Sequence, residues 1–182
     1  MWKHDNLDEV QLGLLKKNIL AIGGEIDPPN AIYVREALLR LTAAGSPEIT
    51  INITSDGGEV DIGLAIYDMI RCYQGKTVGI VLGYARSMAA IILQACTMRK
   101  VSTHSDILIH HIARRKVQLD DLRSKKKSNE LLEGLEKSQA HLDLILSRRT
   151  GKSIAMVKRV CKRNKDMTAK EALAFGLVDE II

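Results

Sequence analysis

The sequence predicts an α/β protein whose sheet is mostly parallel. Apolar, strand-like runs alternate with segments of helical periodicity through the first half of the 182-residue chain, as strand–helix–strand crossover units require. Aromatic residues make up 3% of the sequence and hydrophobic residues 46%, so the core must be built from Leu, Ile, Val and Ala. At this length we expect a single domain spanning residues 1–182.

The first half of the chain supplies the alternating elements. Asp27, followed by two prolines, is a helix start signal, and Ala31, Val34, Leu38 and Leu41 then recur at helical spacing. Apolar runs bounded by glycine or polar residues are the strand candidates. The predicted elements are a short helix over 11–17, strands over 18–22, 48–54 and 77–82, and a helix over 60–73.

The second half is predicted to be more helical. Residues 115–149 are polar, with apolar positions at helical spacing, and Gly151 follows the end of this stretch. Ser153 and Thr168 are N-cap candidates for two further helices, and Glu171 completes a capping box with Thr168. Short strands are expected over 100–103, 107–110 and in the apolar tail at 177–182.

The composition argues against several function classes. A net charge of +5 is too weak to indicate nucleic-acid binding, and the basic run at 125–127 has no aromatic neighbours to stack bases. Three widely spaced cysteines suit a reducing compartment and show no metal-ligand spacing. Because neither a signal peptide nor a bilayer-length apolar run is present, we expect a cytoplasmic protein without membrane or nucleic-acid partners.

A glycine pair, a serine and a histidine follow one another along the chain and are the candidate catalytic residues. Ser87 follows a strand and opens an apolar helix, Gly57-Gly58 follows another strand, and His110 closes a third. A serine nucleophile needs a base and backbone donors for the oxyanion. Each residue alone also has an ordinary interpretation, namely a helix cap, a tight turn and a hydrogen-bonded structural histidine. His111 points the opposite way from an extended strand.

Several short motifs follow one another along the chain in a fixed order. They are Thr54-Ser55-Asp56-Gly57-Gly58, Ala65-Ile66-Tyr67-Asp68, Gly83-Tyr84-Ala85-Arg86-Ser87-Met88-Ala89, Leu108-Ile109-His110, Arg149-Thr150-Gly151, Met167-Thr168-Ala169-Lys170-Glu171-Ala172 and Phe175-Gly176-Leu177-Val178-Asp179. Together they resemble the proteolytic subunit of the Clp protease, a serine peptidase of crotonase-like fold, over residues 14–182.

The resemblance implies a role for each candidate residue. Ser87 would be the nucleophile and His110 the base, with the N–H groups of Gly58 and Met88 forming the oxyanion hole. It implies a mostly parallel sheet with flanking helices, a short N-terminal segment at 1–10 and a long protruding helical handle over about 112–149. It also implies polypeptide substrates, homo-oligomeric rings (one heptamer or two stacked heptamers) and an ATPase unfoldase. No cofactor or metal is expected.

The family's triad acid falls at Asn164 in this chain. An Asn oxygen can accept the His110 N–H, but it lacks the charge that stabilises the imidazolium. In trypsin-type enzymes the corresponding Asp→Asn change costs about 10⁴ in turnover, whereas papain-type sites use a native Asn. We therefore expect weak or conditional activity. Asp166, two residues further on, is the alternative acid.

Other departures concern assembly. Thr50, Asn52 and Cys72 stand where the family commonly has aromatic residues that dock the ATPase, so a hydrophobic loop would find little surface to bury against. Residues 1–10 are too short for the usual axial-pore loops. The segment 112–118 lacks the glycines that the family has there. The contact between two rings would then differ from that of the family, or the assembly would stop at one ring.

Two classes of function remain after these departures. The leading hypothesis is a serine-type endopeptidase, a proteolytic subunit of a self-compartmentalising protease that cleaves unfolded polypeptides or peptides. The alternative is a catalytically weak or inactive ring subunit that serves as structural partner of an active paralogue. A crotonase-type acyl-CoA enzyme and a membrane-tethered serine–lysine signal-peptide peptidase are less well supported, since the serine–histidine pair disfavours the first and the lack of an anchor the second.

Overall fold

A computed structural model describes residues 7–113 and 123–182. Within them, helices pack on a seven-stranded sheet. The strands are β1 (Ile19–Ile26), β2 (Ile49–Gly58), β3 (Thr77–Arg86), β4 (Met98–Val101), β5 (Asp106–Leu108), β6 (Met167–Thr168) and β7 (Glu180–Ile181). The helices are α1 (Glu9–Leu15), α2 (Pro28–Ala43), α3 (Val60–Cys72), α4 (Met88–Leu93), α5 (Lys125–Thr150), α6 (Ile154–Arg163) and α7 (Ala169–Phe175).

The sheet is mostly parallel and flanked by helices, which confirms the predicted α/β class with a mostly parallel sheet. Its main path runs β1-β2-β3-β4-β7, and β5 branches off to pair with the end of β3. Each of these pairs is parallel, because a helix or a longer connection returns the chain to the same sheet end. Only β6 runs antiparallel within the described sheet, against β5.

The alternation of buried and half-buried residues shows which sheet face meets the core. Ile49, Ile51 and Ile53 of β2 are almost fully buried, whereas Thr50 and Asn52 between them are half-buried. All six residues of α4 are buried, and α4 packs against β2 and β3. The helix that follows Ser87 is therefore held in the centre of the core, which fixes its start rigidly.

Three strands, β1, β2 and β3, run further than the sequence predicts, through glycines that we expected to end them. β3 passes Gly83 and ends at Arg86. β1 continues past Gly23 and Gly24 to Ile26, with a register shift where Gly24 adopts φ +71°. β2 likewise continues through Ser55–Gly58, here called the glycine segment, after a register shift. The predicted turns were wrong because these glycines form irregular, bulged pairings that depend on the partner strand.

The second half follows the predicted helices closely. Ser153 and Thr168 cap α6 and α7, and Glu171 completes the capping box. Gly151 ends the 26-residue α5 with φ +71°. Residues 1–6 and 114–122, which belong to the predicted N-terminal segment and handle region, lie outside the described residues.

The short strands of the second half differ slightly from the prediction. β4 lies at 98–101, and β5 ends at Leu108, so His110 lies beyond the strand end. The two-residue β6 was not predicted, because a bridge of this length leaves no periodic pattern. Among the described helices, none is long and apolar enough to cross a membrane.

Candidate active site

Ser87 lies at the junction between β3 and α4 in an unusual backbone conformation. Its φ of +53° and ψ of −123° fall where a residue with a side chain is strained by about 1–3 kcal/mol. Its side chain does not cap α4. The Ser87 hydroxyl makes no hydrogen bond with any residue that the structure describes. A helix-capping role is therefore excluded, and such strain is typical of functional positions.

The pairing of β5 with β3 brings His110 to Ser87. Arg86 is in register with Leu108, and the Ser87 N–H donates to the Leu108 carbonyl oxygen at 2.9 Å. His110, two residues further along the chain, lines the same cavity of about 130 Å³ as Ser87. His111 is exposed and does not line this cavity, as the alternation of side chains predicts.

The tautomer of His110 follows from its hydrogen bond. His110 Nδ1 lies 2.6 Å from the carbonyl oxygen of His111. A carbonyl oxygen only accepts, so Nδ1 carries a hydrogen, and in the neutral ring the lone pair is then on Nε2. A neutral imidazole with a free Nε2 lone pair is the form that can accept a proton from a serine hydroxyl.

The glycine segment lies directly against Ser87. Gly57 adopts φ +92°, and a Cβ on it would lie 2.7 Å from both the Arg86 carbonyl oxygen and Ser87 Cβ. The same Cβ would lie 2.9 Å from the Met88 nitrogen. Only glycine therefore permits this approach.

The neighbouring residues fix the glycine segment in place. The buried Ser55 hydroxyl accepts from the Gly57 N–H at 3.0 Å and donates to the Gly24 carbonyl oxygen at 2.6 Å. Gly58 packs so tightly on Ile26 that a Cβ would lie within 2.2 Å of the Ile26 carbonyl oxygen. Both ends of the segment are thus held against β1.

Two backbone amides are available beside Ser87. Ile26 accepts from the Glu59 N–H at 2.9 Å, so the Gly58 N–H, one residue earlier in the strand, faces away from β1. Met88 is the first residue of α4, where an N–H has no acceptor within the helix. Gly58 and Met88 line the cavity together with Ser87. This arrangement can stabilise a negative oxygen that forms next to the serine.

Asn164 is not brought to His110. It forms the C-cap of α6 with φ +47°, it is exposed, and it does not line the cavity of Ser87 and His110. Its side-chain amide makes no hydrogen bond within the described parts of the chain. Its assignment as the third member of the triad stays a prediction.

Asp166, the alternative acid, is bound to an arginine. Arg86 Nε donates to Asp166 Oδ1 at 2.7 Å, and Arg86 Nη1 donates to Asp56 Oδ1 at 3.0 Å. The two carboxylates raise the pKa of Arg86 above its ordinary value, chiefly through the hydrogen bond that Arg86 donates to Asp166. The guanidinium also stacks on the Tyr84 ring, 4.9 Å from its centre.

The sequence reasoning missed two polar residues of α5. Gln139 lines the cavity of Ser87 and donates to Asp143 at 2.8 Å. Asp143 is 1% exposed. Two polar residues four apart on the face that also carries the buried Leu142 and Leu146 were the available signal.

A second, larger cavity adjoins the first. It measures about 580 Å³ and shares Gly58, Val60, Ile112 and Ala113 with the cavity of Ser87. Within residues 7–113 and 123–182, no group of three or more His, Cys, Asp or Glu side chains is arranged to hold a metal ion.

One comparison with known proteins bears on this geometry. A protein-family model described as Clp protease matches residues 3–182. The match covers the strained serine, the glycine segment, the histidine and the caps of the last two helices. It is therefore a match to nearly the whole chain and not to one motif.

Proposed function

Because the chain belongs to the Clp protease family, we propose that it is a serine-type endopeptidase that cleaves unfolded polypeptides or peptides. Family membership supports a protease function in general. The proposal depends on one observation about Ser87. Its backbone is strained, its side chain does not cap α4, and it lines one cavity together with His110. A serine retained only for structure would normally cap its helix or bond its neighbours.

The chemistry follows from the positions of these groups. Ser87 Oγ attacks the peptide carbonyl carbon while His110 Nε2 takes the hydroxyl proton. The Gly58 and Met88 amides donate to the oxyanion. The C–N bond then breaks, and His110 returns the proton to the leaving amine. Water repeats the sequence on the acyl-enzyme and regenerates Ser87.

The larger cavity supports a polymeric substrate. A cavity of about 580 Å³ that adjoins the site exceeds what a single side chain needs and can take an extended stretch of polypeptide. The proposed fold is crotonase-like, with α5 as part of the helical handle. The mostly parallel arrangement of the strands and the two backbone amides beside Ser87 support this fold assignment.

Ring assembly is part of the proposal. Family members form oligomeric rings and take polypeptide substrates, and we propose one heptamer or two stacked heptamers of this chain. Thr50 and Asn52 are half-buried on the open sheet face, where Leu82 and Met98 are about two-fifths exposed. None of these four residues is aromatic, which supports weak docking of an ATPase.

The function is tested by cleavage of an unfolded polypeptide. Purified protein is incubated with a reduced, carboxymethylated polypeptide, and fragments are read by mass spectrometry beside Ser87→Ala. We expect fragments with the wild type and none with the variant. Equal fragmentation by both proteins would assign the activity to a contaminant and remove Ser87 as nucleophile.

A second function is favoured by one observation, the unbonded and exposed Asn164. A ring subunit without its own turnover could partner an active paralogue. Native mass spectrometry of rings isolated from cells distinguishes the two functions. Mixed rings together with an inactive purified chain would favour the structural partner, and active homo-oligomers would favour the peptidase.

A further inference from the structure

A continuous line of hydrogen bonds joins Asp143 to His110. Gln139 Nε2 donates to Asp143 Oδ1 at 2.8 Å, and Gln139 Oε1 accepts from the Ile112 N–H at 2.7 Å. His110 Nδ1 donates to the His111 carbonyl oxygen at 2.6 Å. The His111 carbonyl and the Ile112 N–H belong to one peptide group, so the three bonds form a single relay, here called the Asp143 relay.

Every hydrogen in the Asp143 relay points toward the carboxylate. An ionised carboxylate only accepts, so it turns the Gln139 NH₂ group toward itself and the Gln139 Oε1 toward Ile112. Hydrogen bonds aligned in this way polarise one another. The charge of Asp143 is thereby felt at the Nδ1–H of His110 through two amide groups.

The surroundings of Asp143 do not explain a carboxylate at this position. Oδ2 has no hydrogen-bond partner among the described residues. The groups that face Asp143 from α6 are Lys158, whose Nζ lies 3.9 Å away on a 58% exposed side chain, and Cys161. Burial and then the charge of Asp143 raise the pKa of Cys161 to about 12. Burying a weakly paired carboxylate is costly, whereas a neutral amide could also accept from Gln139.

Neither of the two residues predicted as the third member of the triad is available to His110. Asn164 is unbonded at the exposed end of α6, and Asp166 is engaged by Arg86. We propose that Asp143 is a positioning residue for His110, which it holds in the reactive tautomer through the Asp143 relay. This inference rests on the proposed function. Only Nε2 exchanges a proton, which it takes from Ser87 and returns to the leaving amine, and the Nδ1–H stays on His110 throughout.

The first variant breaks the relay without removing the acid. Gln139→Leu leaves the Ile112 N–H without its acceptor and uncouples Asp143 from His110. We expect kcat for a peptide substrate to fall about tenfold, the cost of one hydrogen bond of about 1.4 kcal/mol, with KM unchanged. The exposed His141 lies on the same helix, so His141→Leu is the matched control and should keep wild-type kcat.

The second pair of variants moves the carboxylate of the relay from position 143 to position 139 and reverses only the hydrogen bond between these two residues. Gln139→Glu places two carboxylates against each other and should lower kcat at least as much. In the double variant Gln139→Glu/Asp143→Asn, the new carboxylate accepts from Ile112 and the new amide donates to it. We expect this double variant to recover kcat to within about threefold of wild type. Simple loss of packing would not be rescued in this way.

The outcomes separate this inference from the function on which it rests. A wild-type protein without turnover would overturn the proposed function itself. An active wild type together with an unchanged kcat in Gln139→Leu would overturn the relay alone. If Gln139→Leu fails to fold by thermal melting, the double variant decides: wild-type-like kcat supports the relay, and a folded but inactive double variant contradicts it.

Discussion

The carboxylate of Asp166 accepts a 2.7 Å hydrogen bond from Arg86 Nε. This bond ties the residue before Ser87 to the loop after α6, and the same guanidinium donates to Asp56 within the glycine segment. The Arg86 and Asp166 side chains are 32% and 44% exposed, so the ion pair adds little to global stability. The consequence of the ion pair is local, because it engages Asp166, which was the predicted alternative to Asn164 as the acid of the triad.

We therefore predict that Asp166→Asn keeps the labelling rate of Ser87 with a fluorophosphonate within about threefold of wild type. An acid bonded to the base would instead cost about 10⁴. Asn164→Gly should be equally mild, since glycine suits the φ of +47° and the lost amide makes no bond to His110. A loss of two or more orders of magnitude in either variant would make that residue the third member of the triad.

The contact between Gly57 and Ser87 predicts a large effect of one methyl group. In Gly57→Ala the new Cβ collides with Ser87 and the Arg86 carbonyl oxygen, so the proposed oxyanion donors move. We expect the labelling rate to fall by about 10²–10³, as for loss of one oxyanion donor. Gly24→Ala is the matched control, since Gly24 also has a positive φ of +71° but open space around it. Equal effects in both variants would show that backbone strain alone is responsible.

Cysteine burial predicts which thiols react in the folded protein. Burial raises the pKa of Cys96 and of Cys161 to about 12, whereas Cys72 is exposed. Because the thiolate is the reactive form, iodoacetamide at pH 7.5 should modify only Cys72. Peptide mapping should find no adduct in folded Cys72→Ser and adducts at both buried cysteines after unfolding. Rapid modification of Cys161 in the native protein would contradict the packing of α5 on α6.

Acid should weaken the junction between β4 and the C-terminal strand. Burial alone raises the pKa of Asp179, but hydrogen bonds from Arg99 outweigh it, so the net pKa lies below the ordinary value. A carboxyl with a depressed folded pKa stabilises the fold fully above its unfolded value of about 3.9 and loses this contribution as the pH falls through the folded value.

The corresponding variant gives the measurement. Asp179→Asn should melt at a lower temperature than wild type at pH 7, and the difference in Tm should shrink as the pH falls from about 5 to 3. Differential scanning fluorimetry across this range is sufficient. A difference in Tm that stays constant with pH would show that the amide disturbs packing and not an ionic interaction.

Elements with local signals were predictable from the sequence. The side chains of Asp27, Ser153 and Thr168 cap their helices as expected, because a cap depends on residues within one turn. The parallel sheet followed from the order of strands and helices. The extension of β2 through the glycine segment was not predictable, since its irregular pairing depends on β1 and β3.

The site was predictable in its parts but not in its connections. Ser87 and His110 stood out by residue type and position, and the structure places them on one cavity. The Asp143 relay depends on a peptide group and a helix about 27 residues apart in the chain, and no local pattern records such a contact. The engagement of Asp166 by Arg86 spans 80 residues and is equally invisible to local reasoning.

The most direct measurement is the intact mass of the purified protein after reaction with a fluorophosphonate, beside Ser87→Ala. If Ser87 is the nucleophile and His110 its base, one adduct per wild-type chain is expected, mapped to Ser87, and none on the variant. Prior denaturation of the wild type should abolish labelling, because the base and the oxyanion donors are then lost. An unlabelled wild-type protein, or an adduct that persists in Ser87→Ala, would contradict the assignment of Ser87 as the nucleophile.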